Sequence, residues 1–156
     1  MLLRRVLDIM TKWQLAVDQL IKESGVTVRR WRNSNSGVAY CQSADWGIEI
    51  PVPKGPVTFC VGAHEIGHQL KHRKNGKTPR WVEEVEAWEY ALAQLDRFEL
   101  PDKAERAMKH VVGHLDYAFG KALRRGVTLE TINSRFPEWI ERIWQATRNE
   151  AYEVYA

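Results

Sequence analysis

Hydrophobic and polar positions follow two different periods along this chain, and the change of period predicts its elements. Residues 2–23 place apolar side chains every three to four positions, which predicts an amphipathic helix that ends at Gly25. Residues 26–61 change to short β-prone runs separated by Asn, Ser, Gly, Asp and Pro. A helical period returns at Thr58, so the order of elements predicts an α+β fold.

The β-prone region predicts a small mixed sheet. Its runs read VTVRRWR, GVAYCQS, WGIEIPVP and PVTFCV. Pro51 and Pro53 have no backbone N–H and suit an edge strand or its end better than a central strand. The segment DWGIEIPVP is therefore a candidate edge strand, with a plain sheet strand as the alternative. An edge strand can pair with an extended peptide through its main chain.

The second half of the chain is predicted to be mostly helical. The expected helices are Thr58 to Arg73, Trp81 to Phe98, 102–124, 131–136 and 137–148. The length of 156 residues suits one domain, so we expect a single domain over residues 1–156. Within it we expect a core at about residues 40–98 and a helical extension at about residues 100–156.

Composition narrows the class of protein. A hydrophobic share of 44% and a charged share of 28% are typical of a globular chain. The net charge of +3 gives no argument for nucleic acid as a partner, and no stretch has the apolar length of a membrane span. Cys41 and Cys60 are too few for a disulfide framework, and the N-terminus lacks the apolar core of a signal peptide. We therefore expect a cytoplasmic protein with reduced thiols.

One motif carries candidate chemistry. Within FCVGAHEIGHQLKHRK, His64, Glu65 and His68 spell H-E-x-x-H. Residues four apart lie on one face of a helix, so both imidazoles can bind one Zn²⁺ ion. Glu65 lies to the side of that face, where its carboxylate can act as a general base on a water bound to the ion.

A zinc site needs a third protein ligand, and the next helix offers four glutamates. They are Glu83, Glu84, Glu86 and Glu89. We favour Glu84, because positions three and four residues further along its face are apolar and suit close packing on the first helix. Glu83 and Glu86 remain alternatives.

The segments VTFCVGAHEIGHQLKH and EEVEAWEYALAQL resemble the ImmA/IrrE-type zinc metallopeptidases of the gluzincin group. The resemblance covers about residues 40–95 and implies a zincin-like fold. It also implies His64, His68 and Glu84 as zinc ligands and Glu65 as the general base. Trp88 stands where that family usually has a polar residue.

Other candidates are weaker. His72 lies about 12 Å along the helix axis from His64, too far to share one ion. The pair His110 and His114 repeats the histidine spacing but has Val111 in place of the acid, and is more typical of polar helix surface. Tyr40, Tyr90 and Tyr117 are candidates for oxyanion stabilisation, with core packing as the alternative for each. The basic run VRRWRNSN is typical of a solvated face.

These observations predict a zinc-dependent endopeptidase that acts on a narrow protein or peptide substrate. The alternative is a metal-containing binding or regulatory module without proteolysis. It would bind a protein or nucleic-acid partner through its helical C-terminal half, where Trp139 and Trp144 lie on one apolar stripe.

Overall fold

The architecture is that of a computed structural model. It describes residues 2–40, 47–72, 77–100 and 104–155, with side chains described over 12–40, 47–71, 77–100 and 104–148. Within these ranges the chain forms six helices and a three-stranded sheet, which confirms the α+β class. The elements are α1 Leu2–Ser24, β1 Val28–Arg32, β2 Val38–Tyr40, β3 Gly47–Pro51, α2 Pro56–His72, α3 Arg80–Arg97, α4 Ala104–Arg124, α5 Leu129–Arg135 and α6 Pro137–Tyr155.

The chain divides into two compact units, Met1–Ala107 and Met108–Ala156. The first unit holds the sheet and helices α1 to α3, and the second holds most of α4 together with α5 and α6. Whether the two units unfold together is a separate property, so the single domain expected from the sequence stays a prediction.

The sheet is mixed, as predicted, and its strand order is β1-β3-β2. Strand β3 pairs in parallel with β1 and antiparallel with β2. The prediction that DWGIEIPVP forms an edge strand is therefore wrong over Gly47–Pro51, while residues 45 and 46 lie outside the described residues. The prolines are tolerated because β2 pairs only as far as Glu49, so Pro51 lies at the end of β3, beyond that neighbour.

The last β-prone run, PVTFCV, contains no strand, and the helix expected from Thr58 begins two residues earlier. The run forms the first turns of α2, which begins at Pro56. Proline suits the first helical position because its missing N–H has no partner there in any case. The Thr58 hydroxyl oxygen accepts hydrogen bonds from the backbone N–H of Lys54 at 2.8 Å and of Gly55 at 3.1 Å. These bonds fix the entry into the helix.

Helix α2 is the centre of the first unit. Its residues 59–69 are all buried, and Ile48 and Ile50 of the sheet are fully buried as well. The indole ring of Trp13 from α1 lies 5.8 Å from the ring of Phe59, measured between centroids. Gln69 donates a hydrogen bond of 3.0 Å to the carbonyl of Tyr40, which ties α2 to the sheet. This arrangement places the H-E-x-x-H motif in a buried part of the unit.

The second unit is helical. Helix α4 buries an apolar stripe, and Ile132 of α5 is fully buried. The stripe consists of Val111, Leu115, Phe119 and Ala122. Thr128 caps α5 by accepting a hydrogen bond from the N–H of Thr131. The predicted mostly helical C-terminal half is confirmed for the residues described.

Candidate metal centre

The two histidines of the motif point to one place. They lie one helical turn apart on α2, and their Nε2 atoms are 3.0 Å from each other. His64 is 5% exposed and His68 is 1% exposed. Their rings are nearly perpendicular, at 88°. Polar rings buried this deeply need polar partners, and the helix directs both toward α3.

Helix α3 supplies a carboxylate to the same place. Glu84 Oε2 lies 3.3 Å from His64 Nε2, and Glu84 Oε1 lies 3.4 Å from His68 Nε2. One ligand atom from each of the three residues lies within 4.8 Å of the others. Among the described residues, this is the one group of three His, Cys, Asp or Glu side chains with that arrangement.

The distances fit a zinc ion. Zinc bonds of about 2.0–2.1 Å at tetrahedral angles place neighbouring ligand atoms about 3.3 Å apart. The two imidazole nitrogens are 3.0 Å apart, and each lies at 3.3 or 3.4 Å from a different oxygen of the Glu84 carboxylate, which is close to this value. Two imidazoles and one carboxylate also form a common donor set for catalytic zinc, which leaves a fourth position open.

The packing of α3 explains why Glu84 is the glutamate that reaches the histidines. Ala87, Trp88, Ala91 and Leu95 are each between 0% and 4% exposed, so the face predicted to be apolar is the face that packs. Glu83 is not part of the cluster with the histidines, and its carboxylate lies 3.6 Å from the guanidinium of Arg80. Glu89 is exposed. The structure thus places Glu84 beside the motif, and its role as a metal ligand stays a prediction.

Arg80 was not predicted to lie near the site. Its Nη2 is 2.9 Å from Glu84 Oε1, and its side chain is 68% exposed. The spacing of four residues on one helix could have indicated the pair. Arg80 holds the Glu84 carboxylate from the solvent side, as an outer partner of a metal ligand commonly does.

The pKa values of the two glutamates at the centre, Glu65 and Glu84, differ from the ordinary value of a carboxyl group. Burial acts to raise the pKa of Glu84, but hydrogen bonds from His64 and His68 outweigh it and hold this pKa well below its usual range. Burial, followed by the charge of Glu84, raises the pKa of Glu65 to about 8. Arg80 and Arg32 act in the opposite direction on Glu65. The two glutamates therefore differ in their affinity for a proton.

Glu65 lies beside the ligand cluster. Its Oε1 is 4.0 Å from His64 Nε2, and the residue is 8% exposed. Gly37, which precedes β2, packs against it: a Cβ at Gly37 would lie 2.7 Å from Glu65 Cγ. The sequence gives no sign of this contact, because Gly37 ends a polar turn far from the motif. It places the turn before β2 next to the candidate base.

Trp88 forms one wall of the centre. Its ring stacks on that of His64 at 3.8 Å between centroids and 27° between planes, and it is 2% exposed. In the family that the two motifs resemble, a polar residue is usual at this position. The stacked indole restricts the orientation of His64 by contact.

The remaining predicted residues have other surroundings. The Tyr40 hydroxyl donates a hydrogen bond to Glu49, and Tyr117 is 66% exposed on α4. Tyr90 packs near Gly67, between α2 and α3. The side chain of His72 lies outside the described residues, as does Cys41.

Among the residues described, no metal centre forms at the pair of His110 and His114 or at Cys60. The rings of His110 and His114 lie 4.4 Å apart, but no third described ligand joins them. Cys60 is a fully buried free thiol, as predicted, and burial raises its pKa to about 12.

Comparison with protein-family models, with curated proteins and with solved structures finds no significant match to this chain. No described helix combines the length and apolar character needed to cross a membrane. The function of the chain is therefore inferred from the geometry of the centre and from the motif resemblance.

Proposed function

We propose that this chain is a zinc-dependent endopeptidase with a zincin-like fold. The observation that carries the proposal is the convergence of His64, His68 and Glu84, with Glu65 alongside. The resemblance of the two helix motifs to the ImmA/IrrE-type gluzincins supports the same reading.

The roles of the side chains follow from their positions. His64, His68 and Glu84 would hold the zinc ion. When bound, zinc polarises a carbonyl group and lowers the pKa of a water molecule toward neutrality. The Glu65 carboxylate would accept the proton of the attacking water and pass it to the leaving amine. Trp88 and Arg80 would keep His64 and Glu84 in place.

We propose that an extended substrate pairs with strand β2. The sequence had indicated the segment DWGIEIPVP for this role. Strand β2 lies at one end of the strand order, and the residue before it, Gly37, contacts Glu65. An edge strand binds a peptide by main-chain hydrogen bonds, which would bring a peptide bond close to the candidate base.

Metal analysis combined with a cleavage assay tests the proposal. We expect about one zinc per chain in the wild type, loss of zinc in His68→Ala and in Glu84→Gln, and retention of zinc in Glu65→Gln. Glu83→Gln is the matched control, because Glu83 neighbours Glu84 on α3 but is not part of the cluster of His64, His68 and Glu84. Peptide cleavage should disappear in Glu65→Gln and persist in Glu83→Gln. Cleavage that survives in Glu65→Gln would contradict the mechanism.

A binding or regulatory module is the second candidate function. Trp144 on α6 is 54% exposed, and an exposed tryptophan is typical of a surface that binds a partner. Trp139 on the same helix is only 7% exposed, so just one of the two tryptophans is available. Zinc binding without cleavage of any peptide or protein would favour this candidate.

A further inference from the structure

Strand β1 presents a basic surface at the edge of the sheet opposite β2. The strand contains Arg29, Arg30, Trp31 and Arg32, which we call the β1 surface. The first three of these residues are exposed, including Trp31 at 39%. Within the described residues, β1 pairs with β3 only, so its other edge has main-chain groups available.

The arginines of β1 gather on one face of the sheet. Arg30 and Arg32 pair with Glu49 and Pro51, so their side chains lie on the same face as Glu49. The guanidinium of Arg29 lies over the ring of Tyr40, 5.1 Å from its centroid. The stem of Arg29 fills the space beside Gly47, where a Cβ would lie 2.5 Å from Arg29 Cγ. Trp31 pairs with Ile50 and lies on the other face.

This face has more positive than negative charge. Its carboxylate, Glu49, already accepts hydrogen bonds from Tyr40 and from Arg32 Nε, the latter at 3.4 Å. The hydrogen bond from Tyr40 and then that from Arg32 hold the pKa of Glu49 below its ordinary value, so it is ionised. Among the described residues, Arg29 and Arg30 form no ion pair with a carboxylate. The guanidinium of Arg30, and that of Arg29 above the Tyr40 ring, can therefore still pair with carboxylates of a partner.

We propose that the β1 surface binds an acidic segment of a partner protein, added in extended conformation to the open edge of β1. Main-chain hydrogen bonds from the edge would provide the pairing, and carboxylates of the segment would meet Arg29 and Arg30. Trp31 would supply an apolar contact on the opposite face. The proposal depends on the sheet alone and does not require hydrolysis at the metal centre.

Charge complementarity decides between the possible occupants. A second copy of this chain would bring arginines against arginines, and like charges placed opposite each other across a strand pair are destabilising. The phosphates of a nucleic acid could accept hydrogen bonds from the arginines and from edge amides, but they have no N–H to donate to the edge carbonyls. An acidic extended peptide uses both, and it is the occupant that fits the two features together.

Fluorescence anisotropy with a labelled short peptide of alternating Glu and Thr tests the proposal. The key variant is Arg30→Glu, since no described hydrogen bond or ion pair is lost with Arg30. Its matched control is Arg106→Glu, an exposed arginine of α4 with the same change of charge. We expect Arg30→Glu to weaken binding at least about tenfold, because like charges would face each other, and Arg106→Glu to change it less than about twofold. A thermal melt of each variant checks that it is folded.

Two further probes separate strand addition from simple charge attraction. The same Glu-Thr peptide with an N-methyl group on every backbone amide has the same charge but no N–H to donate to the strand, so it should bind at least about tenfold more weakly. Amide hydrogen exchange in residues 29–32 should slow when the Glu-Thr peptide binds. Absence of binding, equal binding of the N-methylated peptide, or protection elsewhere in the chain would overturn the proposal. Tighter binding of a single-stranded oligonucleotide with steep salt dependence would assign the surface to nucleic acid instead.

Discussion

At Gly37, the space that a side chain would fill is already occupied by Glu65. A Cβ there would lie 2.7 Å from Glu65 Cγ and 3.0 Å from the carbonyl oxygen of Glu49. We predict that Gly37→Ala displaces the Glu65 carboxylate, lowers the proposed peptide cleavage at least about tenfold, and destabilises the fold by about 1–3 kcal/mol. Zinc content should stay near one per chain, because the ligand residues are not touched. Cleavage kinetics, metal analysis and urea unfolding measure the three quantities.

Gly55→Ala is the control for this prediction. A Cβ at Gly55 would meet nothing within 4 Å, so the same chemical change should leave cleavage and zinc content at wild-type levels. If Gly37→Ala also had wild-type cleavage, Gly37 would have no part in placing Glu65.

The residues of the centre divide into those that the sequence indicates and those that it does not. His64, Glu65 and His68 share a local spacing, and Glu84 could be ranked first because the face that follows it on α3 is apolar. Gly37 and the stacking of Trp88 on His64 arise from tertiary packing, which no local pattern encodes. Sequence periodicity therefore predicts which helical side chains approach one another better than it predicts the residues that pack around them.

The contact between α2 and α3 is close because the motif contains Gly67. A Cβ at Gly67 would lie 3.0 Å from Tyr90 Cδ1 and 3.3 Å from Ala87 Cα. The second neighbour is backbone, which cannot rotate away. We predict that Gly67→Ala pushes the two helices apart, destabilises the protein by about 1–3 kcal/mol and weakens zinc binding, since the ligands lie on both helices. Urea unfolding and competition with a zinc chelator measure the two effects.

Gly62→Ala on the same helix should change the stability of the protein in the opposite direction. Its Cβ would meet the side chain of Ile50 at 3.6 Å, an ordinary van der Waals contact. Alanine is favoured over glycine in a helix interior by about 0.5–1 kcal/mol, so this variant should be more stable than the wild type. Equal effects of the two substitutions would show that contact with α3 does not limit the motif helix.

Helices α1 and α3 are joined near their C-terminal ends by an ion pair. Arg97 Nη2 lies 2.7 Å from Glu23 Oε1, and Nη1 lies 2.8 Å from Oε2. Hydrogen bonds from Arg97 and then Gln19 lower the pKa of Glu23 from 4.5 to about 2. A carboxylate with a lowered pKa stabilises the folded state above its unfolded pKa, and this stabilisation is lost as the pH falls from about 4.5 to about 2.

We predict that Glu23→Gln lowers the urea midpoint slightly at pH 7 and less, or not at all, near pH 2, relative to the wild type. The effect should be small because both side chains are more than two-fifths exposed, at 42% and 45%. Asp96→Asn is the control, an exposed acid of α3 with no described ion pair. An equal loss at both pH values would show that the pair contributes no charge-dependent stability.

At the scale of elements, helices were predicted more accurately than strands. The long periodic segments located all of the described helices, with Gly25 at φ +67 ending α1 as expected. The strand errors have physical causes. PVTFCV has high β propensity but is buried against the sheet as the start of α2, and proline at Pro51 marks the end of a strand without making that strand an edge. Strand order depends on partners distant in sequence, which local propensity does not contain.

At the scale of the whole molecule, zinc should stabilise the folded chain by binding at one defined site. All three candidate ligands lie in the unit Met1–Ala107, on two helices that pack together. A ligand that binds only the folded state adds about 2.7 kcal/mol when its concentration is a hundred times its Kd. For a chain of 156 residues, about 2–4 °C per kcal/mol then gives a rise in Tm of about 5–10 °C.

We therefore predict that zinc added to metal-free protein raises Tm by this amount, that a chelator reverses the rise, and that magnesium does not reproduce it. Magnesium prefers oxygen ligands in octahedral geometry, which two imidazoles and one carboxylate do not supply. Glu84→Gln should abolish most of the zinc-dependent rise, and Glu83→Gln should keep it. Differential scanning calorimetry of the three proteins, with and without zinc, makes the comparison. An undiminished rise in Glu84→Gln would place the binding of zinc elsewhere in the chain, because the centre between α2 and α3 needs that carboxylate to hold the ion.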